Sequence, residues 1–207
     1  QRVDLETGAV ESVYTECDGI PLKGPNDIVF DSQGGFWFTD LGKSRARERD
    51  RTGIFYALPD GSSIREMVFP LETPNGIGLS PDESRVYVAE TQTGRVFYWD
   101  LEAPGEIRPN LLSPNRGGLL AGLPGLQLLD SLAVDAEGNV CVATIINGGI
   151  TVISPDGSSV DHVPMPDFMT TNICFGGPDL RTAYITLSAT GKLVSTRWRT
   201  PGLKLAF

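Results

Sequence analysis

Pro25-Asn26-Asp27-Ile28-Val29-Phe30-Asp31, a turn at 32–35, then Phe36-Trp37-Phe38-Thr39-Asp40 is a phrase that this chain repeats four times. An oxygen-bearing side chain opens a short apolar strand, a tight turn follows, and a second apolar strand returns. The other copies open with Pro74-Asn75-Gly76-Ile77-Gly78-Leu79-Ser80, Asp130-Ser131-Leu132-Ala133-Val134-Asp135 and Thr171-Asn172-Ile173-Cys174-Phe175-Gly176. Their return strands are Val86-Tyr87-Val88-Ala89-Glu90, Val140-Cys141-Val142-Ala143-Thr144 and Ala183-Tyr184-Ile185-Thr186-Leu187. Asn26, Asn75, Asp130 and Asn172 are spaced by 49, 55 and 42 residues. Periods of about 40–50 residues with several strands each mark the blades of a propeller.

Working outward, each copy extends to further strands. The first blade reads as 27–31, 36–40, 53–58 and 64–69. The second has 76–79, 85–89 and 95–101 with an ill-defined outer strand, and the third has 131–135, 139–144, 149–153 and 159–163. The fourth has 172–175, 183–187 and 192–198. Twenty-four Gly and 15 Pro punctuate the strand ends, and Asp-Gly, Pro-Asp and Gly-Gly turns supply the local hydrogen bonds and φ values that hairpins need. The Leu-rich run 119–132 is broken by Pro124 and Gly125 and gives no helix. The link 119–129 either walls a pocket or packs on the blades, the latter being favoured. The fold class is all-β, a β-propeller of four-stranded antiparallel blades. Segments 2–5 and 11–15 form the outer hairpin of a preceding blade. A single domain spans 1–207, and a first blade with part of a second is expected ahead of it, because a ring must close to remove its sheet edges.

Lys and Arg number 17 against 26 Asp and Glu, a net charge of −9, which argues against nucleic acid or an anionic membrane as partner. No apolar run reaches the roughly 20 residues of a membrane helix. Three cysteines, with Cys141 and Cys174 inside apolar strands, read as buried free thiols in a reducing, cytoplasmic setting. The one histidine, His162, falls on an outer strand as a surface residue, which removes His-based triads and His-rich zinc sites from consideration.

Antiparallel strands alternate direction, so connections alternate between the two faces of the disc. Asn26, Asn75, Asp130 and Asn172 therefore share one face with loops 41–52, 91–94, 145–149 and 188–191, and with the long link 103–129. Asn and Asp before strands are common turn formers, yet four at one repeat position would converge on the axis as an oxygen-only site for a hard cation. Asp130 stands out as a carboxylate between Leu129 and Leu132, since burying a charge without a partner is costly. The mixed-charge stretch 43–51 lies on the same face. Arg45 and Arg47 are candidate contacts for a carboxylated or polyhydroxylated substrate; the alternative is a solvated loop.

Gly24-Pro25-Asn26-Asp27, Pro74-Asn75-Gly76-Ile77, Asp130-Ser131-Leu132-Ala133-Val134-Asp135 and Thr170-Thr171-Asn172-Ile173-Cys174-Phe175-Gly176-Gly177 resemble the gluconolactonase, or regucalcin-like senescence-marker, family. The resemblance implies a six-bladed propeller that hydrolyses sugar lactones with a divalent cation on its axis, Ca²⁺ foremost, with Zn²⁺, Mg²⁺ or Mn²⁺ as alternatives. It implies Asn75 and Asp130 as metal ligands, Asp130 also as the base that activates water, and Asn26 as a substrate contact; Asn172 is a candidate substrate contact from its repeat position, the alternative being a turn residue. The family's metal-binding Glu has no counterpart in residues 1–207, and Ser131 stands where many members have Gly. The partner expected is a small-molecule lactone, with the oligomeric state left open. Two other readings stand beside it: a phosphotriesterase or arylesterase on the same scaffold, and a noncatalytic calcium-binding propeller.

Overall fold

The computed structural model describes residues 1–206. Two small hairpins come first, β1 (Arg2–Val3) with β2 (Val10–Glu11) and β3 (Glu16–Cys17) with β4 (Ile20–Pro21). Four antiparallel sheets follow. The first runs β5 (Pro25–Phe30), β6 (Phe36–Asp40), β7 (Thr52–Ala57) and β8 (Ile64–Leu71). The second has β9 (Pro74–Leu79), β10 (Arg85–Glu90), β11 (Arg95–Ala103), β12 (Glu106–Ile107) and β13 (Gly118–Gly122). The third is β14 (Leu128–Val134), β15 (Val140–Ile145), β16 (Gly149–Ile153) and β17 (Val160–Pro164), and the fourth β18 (Thr170–Gly176), β19 (Thr182–Leu187) and β20 (Lys192–Arg197). The all-β reading, with sheets arranged as propeller blades, holds.

Alternation of side chains along each strand explains why the middle strands are apolar at every position. On β10, Val86 and Val88 enter the layer shared with the first blade, while Tyr87 and Ala89 enter the layer shared with the third. On β15, Val140 and Val142 face back to the second blade; Cys141 and Ala143 face forward to Ile173, Ile185 and Trp198 of the fourth region. The core is thus a series of layers between blades. Trp37 and Trp99, both fully buried, fill the first of them.

The Leu-rich link behaves differently from a simple connection. Residues 118–122 form the missing outer strand of the second blade, with Phe97 opposite Leu119 and Tyr98 opposite Gly118. Leu120 and Ala121 are buried against it, so packing wins over walling a pocket. Another correction concerns Cys174. It is exposed, not buried like Cys17 and Cys141, because it lies on β18, which flanks an open axial space. His162 is exposed on β17, as expected.

Hairpins between first and second strands are closed by carboxylates. Asp31 Oδ1 accepts from the N–H groups of Gln33 (2.9 Å) and Gly35 (3.0 Å), and Asp135 Oδ1 does the same for Glu137 (3.0 Å) and Asn139 (2.9 Å). At the other end of the blades, Asp40 accepts from the N–H groups of Lys23, Gly24 and Gly42, and Glu90 Oε1 accepts from Glu72 N–H. These bonds anchor the chain as it enters β5 and β9.

The first strands β5, β9, β14 and β18 lie side by side around the axis. Two of them, β9 and β14, approach tightly at Gly76, where a β-carbon would lie 2.6 Å from Leu132 N and 2.7 Å from Asp130 O. These are backbone atoms, which have no rotamer by which to yield. Gly76→Ala is therefore expected to cost about 1–3 kcal/mol by overpacking, read as a lower midpoint in chemical denaturation. Gly122→Ala, whose nearest neighbour would be Arg95 Cγ at 3.9 Å, should stay within about 0.5 kcal/mol of the parent.

Candidate functional site

The oxygen-bearing residues do not sit on loops before the strands; they lie inside them, at bulges. In the first blade Pro25 pairs with Asp40 and Ile28 with Phe38, so Asn26 and Asp27 together oppose Thr39. In the second, Asn75 and Gly76 oppose Ala89. In the third, Asp130 and Ser131 oppose Ala143. In the fourth, Thr170 pairs with Leu187 and Ile173 with Ile185, leaving Thr171 and Asn172 opposite Thr186. A two-against-one bulge re-aims side chains by adding local twist, and here the same bulge recurs in all four blades.

Register corrects one alignment. Asn172 is the second residue of its bulge, equivalent to Asp27, Gly76 and Ser131, and Thr171 is the true counterpart of Asn26, Asn75 and Asp130. Matching Asn to Asn in the sequence placed the fourth copy one residue out, because pairing with β19 sets the register. Thr171 Oγ1 lies 2.9 Å from Thr186 Oγ1 and 2.8 Å from Ser188 Oγ, a hydroxyl cluster at the end of the blade.

Three bulges meet. Asn75 is buried, its Nδ2 donating to Thr91 Oγ1 at 3.1 Å and its backbone oxygen accepting from Thr39 Oγ1 at 2.6 Å. Its amide also bonds the Asp130 carboxylate. Asp27 accepts from Ile77 N–H at 3.3 Å and from the Ser131 hydroxyl, and it feels the charge of Asp130. Burial, opposed by the bonds from Asn75 and the Ser131 backbone, raises the pKa of Asp130. Burial first, then the Asp130 charge, pushes Asp27 from 3.8 to about 6. Asp27 and Ser131 were missed by sequence reasoning; the only available signal was a carboxylate directly after Asn26 in the strand.

The remaining expected residues divide. Asn172 lines an axial cavity of ≈ 240 Å³, together with Asp27, Ile77, Leu132 and Cys174. Asn26 is exposed and lines a different cavity on the other side of β5, with Phe36 and Phe38. Arg45 is committed to its own loop, 2.9 Å from Asp50 and 3.7 Å from Glu48. Arg47 is exposed and makes no ion pair among the described residues.

A cation would fit the residues that do converge. Asn75 Oδ1 is buried with no hydrogen-bond partner, which is costly for an acceptor unless something electropositive meets it. It stands beside a half-buried carboxylate, and the donors are all oxygens, the chemistry of hard divalent ions. Among the described residues no cluster of three or more His, Cys, Asp or Glu side chains is available, so the chain's own contribution rests on amide and carboxylate oxygen together.

Known proteins resemble this chain over most of its length. The chain is 30% identical over 213 residues to a gluconolactonase of Zymomonas mobilis, covering 97% of this chain and 58% of that one. It is 32% identical over 141 residues to lactonase drp35 of Staphylococcus saprophyticus, covering 68% of this chain and 42% of the relative. Among solved structures, a gluconolactonase of Xanthomonas campestris superposes with a TM-score of 0.75 at 25% identity, over 96% of this chain and 63% of that one. The chain therefore spans about half the length of the curated relatives it matches. The family model described as "SMP-30/Gluconolactonase/LRE-like region" matches residues 1–189, and the chain belongs to that family.

Proposed function

We propose that the bulge cluster is the centre of a hydrolase for sugar or related lactones. The observation that carries this reading is the meeting of Asn75, Asp130 and Asp27 around one unpaired buried oxygen. The gluconolactonase and lactonase relatives support the same reaction class. Asn75 and Asp130 would hold a divalent cation, Ca²⁺ before Zn²⁺ because the donors include neither thiolate nor imidazole. Such a cation supplies Lewis-acid polarisation of the ester carbonyl.

The chain's own groups handle the proton. Asp130, oriented by the Asn75 amide, takes a proton from the water that attacks the ring carbonyl carbon. As the ring C–O bond breaks, the same proton passes to the departing alkoxide, leaving a hydroxy acid and restoring Asp130. Asp27 ties β5 to both β9 and β14 and so holds the bulges in contact. Asn172 in the axial cavity is placed to meet substrate hydroxyls.

Two outcomes test this. A panel of lactones and organophosphates should show turnover of lactones that chelation abolishes, and Asp130→Asn should lower kcat by about 10²–10⁴ while the fold persists by circular dichroism. Turnover of organophosphates alone would select the esterase reading instead. The second outcome concerns pH. The folded-state pKa of Asp27 lies above its ordinary 3.8, at about 6, so the neutral form is the one the fold favours. Its contribution is present below about pH 4 and lost as pH rises through 6, about 3 kcal/mol in all. In chelator-containing buffer, Asp27→Asn should match the parent near pH 4 and gain stability over it by pH 7. A flat difference across that range would refute the burial of this carboxylate.

A further inference from the structure

Asn75 can meet a cation only with its amide turned one way, because one end of an amide accepts and the other donates. Its hydrogen bonds show which way it is turned. Asn75 Nδ2 donates to Thr91 Oγ1 at 3.1 Å and to the Asp130 carboxylate, which uses both of its hydrogens, and Oδ1 is left without a partner. Asp130 is itself a candidate ligand. Thr91, whose hydroxyl faces the donor end of the amide, is not.

Thr91 follows β10 and is fixed through its backbone on both sides. Its N–H donates to Thr73 O at 3.0 Å, and its carbonyl accepts from Leu129 N–H at 3.3 Å. Thr73 stands two residues ahead of Asn75 and Leu129 one ahead of Asp130, so Thr91 ties the entries of β9 and β14 together. Its neighbour Gln92 donates its N–H to Thr73 Oγ1 at 3.1 Å, and Thr93 Oγ1 donates to the buried Glu90 at 2.8 Å. A short loop pinned along its length thus delivers the hydroxyl to Asn75, as a precise binding site requires of its supporting groups.

The other blades show what this position does. Gly24, Thr73, Leu128 and Met169, each two residues ahead of the first residue of a bulge, are bonded or paired to Leu41, Thr91, Ile145 and Ser188. Two of these four carry a hydroxyl. Thr91 holds Asn75, and Ser188 Oγ lies 2.8 Å from Thr171 Oγ1, the first bulge residue in each case. Leu41 offers none, and Asn26 is exposed with no side-chain hydrogen bond among the described residues. A hydroxyl at this position separates the Asn that is held from the Asn that is not.

We infer that Thr91 is a positioning residue for cation binding at this site, its hydroxyl holding the NH₂ end of the Asn75 amide so that Oδ1 is the atom presented. The inference rests on the cation reading above. Without the hydroxyl the amide relies on Asp130 alone, a bond that competes with Asp130's own part in the site.

Calorimetry with calcium chloride alone, on the full chain, tests this. Thr91→Val keeps the side-chain shape and both backbone bonds but removes the hydroxyl, and it should raise the Kd for calcium about 10–100-fold, the usual effect of removing an outer partner of a ligand. Thr91→Ser should restore most of the affinity. Ser188→Ala, which removes the equivalent hydroxyl from the fourth blade, should leave Kd unchanged. An unchanged Kd in Thr91→Val, or an equal loss in Ser188→Ala, would overturn the inference while leaving the cation reading intact. If the parent binds no calcium, the cation reading fails for this chain instead. Hydrogen exchange of the Asn75 side-chain amide, followed by NMR in metal-free buffer, then decides the role of Thr91. Faster exchange in Thr91→Val than in the parent and in Thr91→Ser supports it, and equal rates overturn it.

Discussion

The contact on which the rest depends is the approach of β9 to β14 at Gly76. Backbone meets backbone there closely enough that a single methyl would strike the amide of Leu132 and the carbonyl of Asp130. Because the two strands touch without side chains between them, Asn75 on one and Asp130 on the other come within hydrogen-bonding reach. Any residue larger than glycine would separate them. The inter-blade layers of Val, Ile and Trp supply the attraction that presses the strands together, and the bulges turn the polar side chains to where the strands meet.

The bulge is also what makes the half-buried carboxyl groups tolerable. Asp27 collects a backbone N–H from β9 and a hydroxyl from β14, and Asp130 collects the Asn75 amide. These bonds offset part of the desolvation, but not all of it, and both carboxylates stay harder to ionise than free ones. The unpaired Oδ1 of Asn75 points to the same deficit: the cluster holds more acceptors than donors. Loop 41–51 is by contrast cationic, and there Arg45 is held by Asp50 and Glu48.

Much of the blade pattern was legible in the sequence. Hairpins closed by Asp31 and Asp135, apolar return strands such as 140–144, and the common face of Asn75 and Asp130 all follow from alternation and turn chemistry. The outer strand 118–122 was not, because its glycines and leucines carry no alternating signal and its partner β11 lies more than twenty residues back. The fourth copy was misplaced by one residue for a related reason. Bulges add a residue without leaving a mark in composition, so an Asn seemed the natural match for an Asn where Thr171 holds the position. Asp27 escaped notice beside Asn26, since side-chain direction at a bulge breaks the simple alternation.

By itself, then, the amino-acid sequence determined the repeat, its period, the all-β blades and the residue types available for an oxygen-only site. Those are consequences of local patterning, which the chain encodes residue by residue. Tertiary structure alone decided which oxygens meet. It brought Asp27 in and turned Asn26 outward, set Thr171 in place of Asn172 and tied up Arg45. These outcomes depend on register between strands and on contacts between blades far apart in the chain. Neither is a property of any single segment.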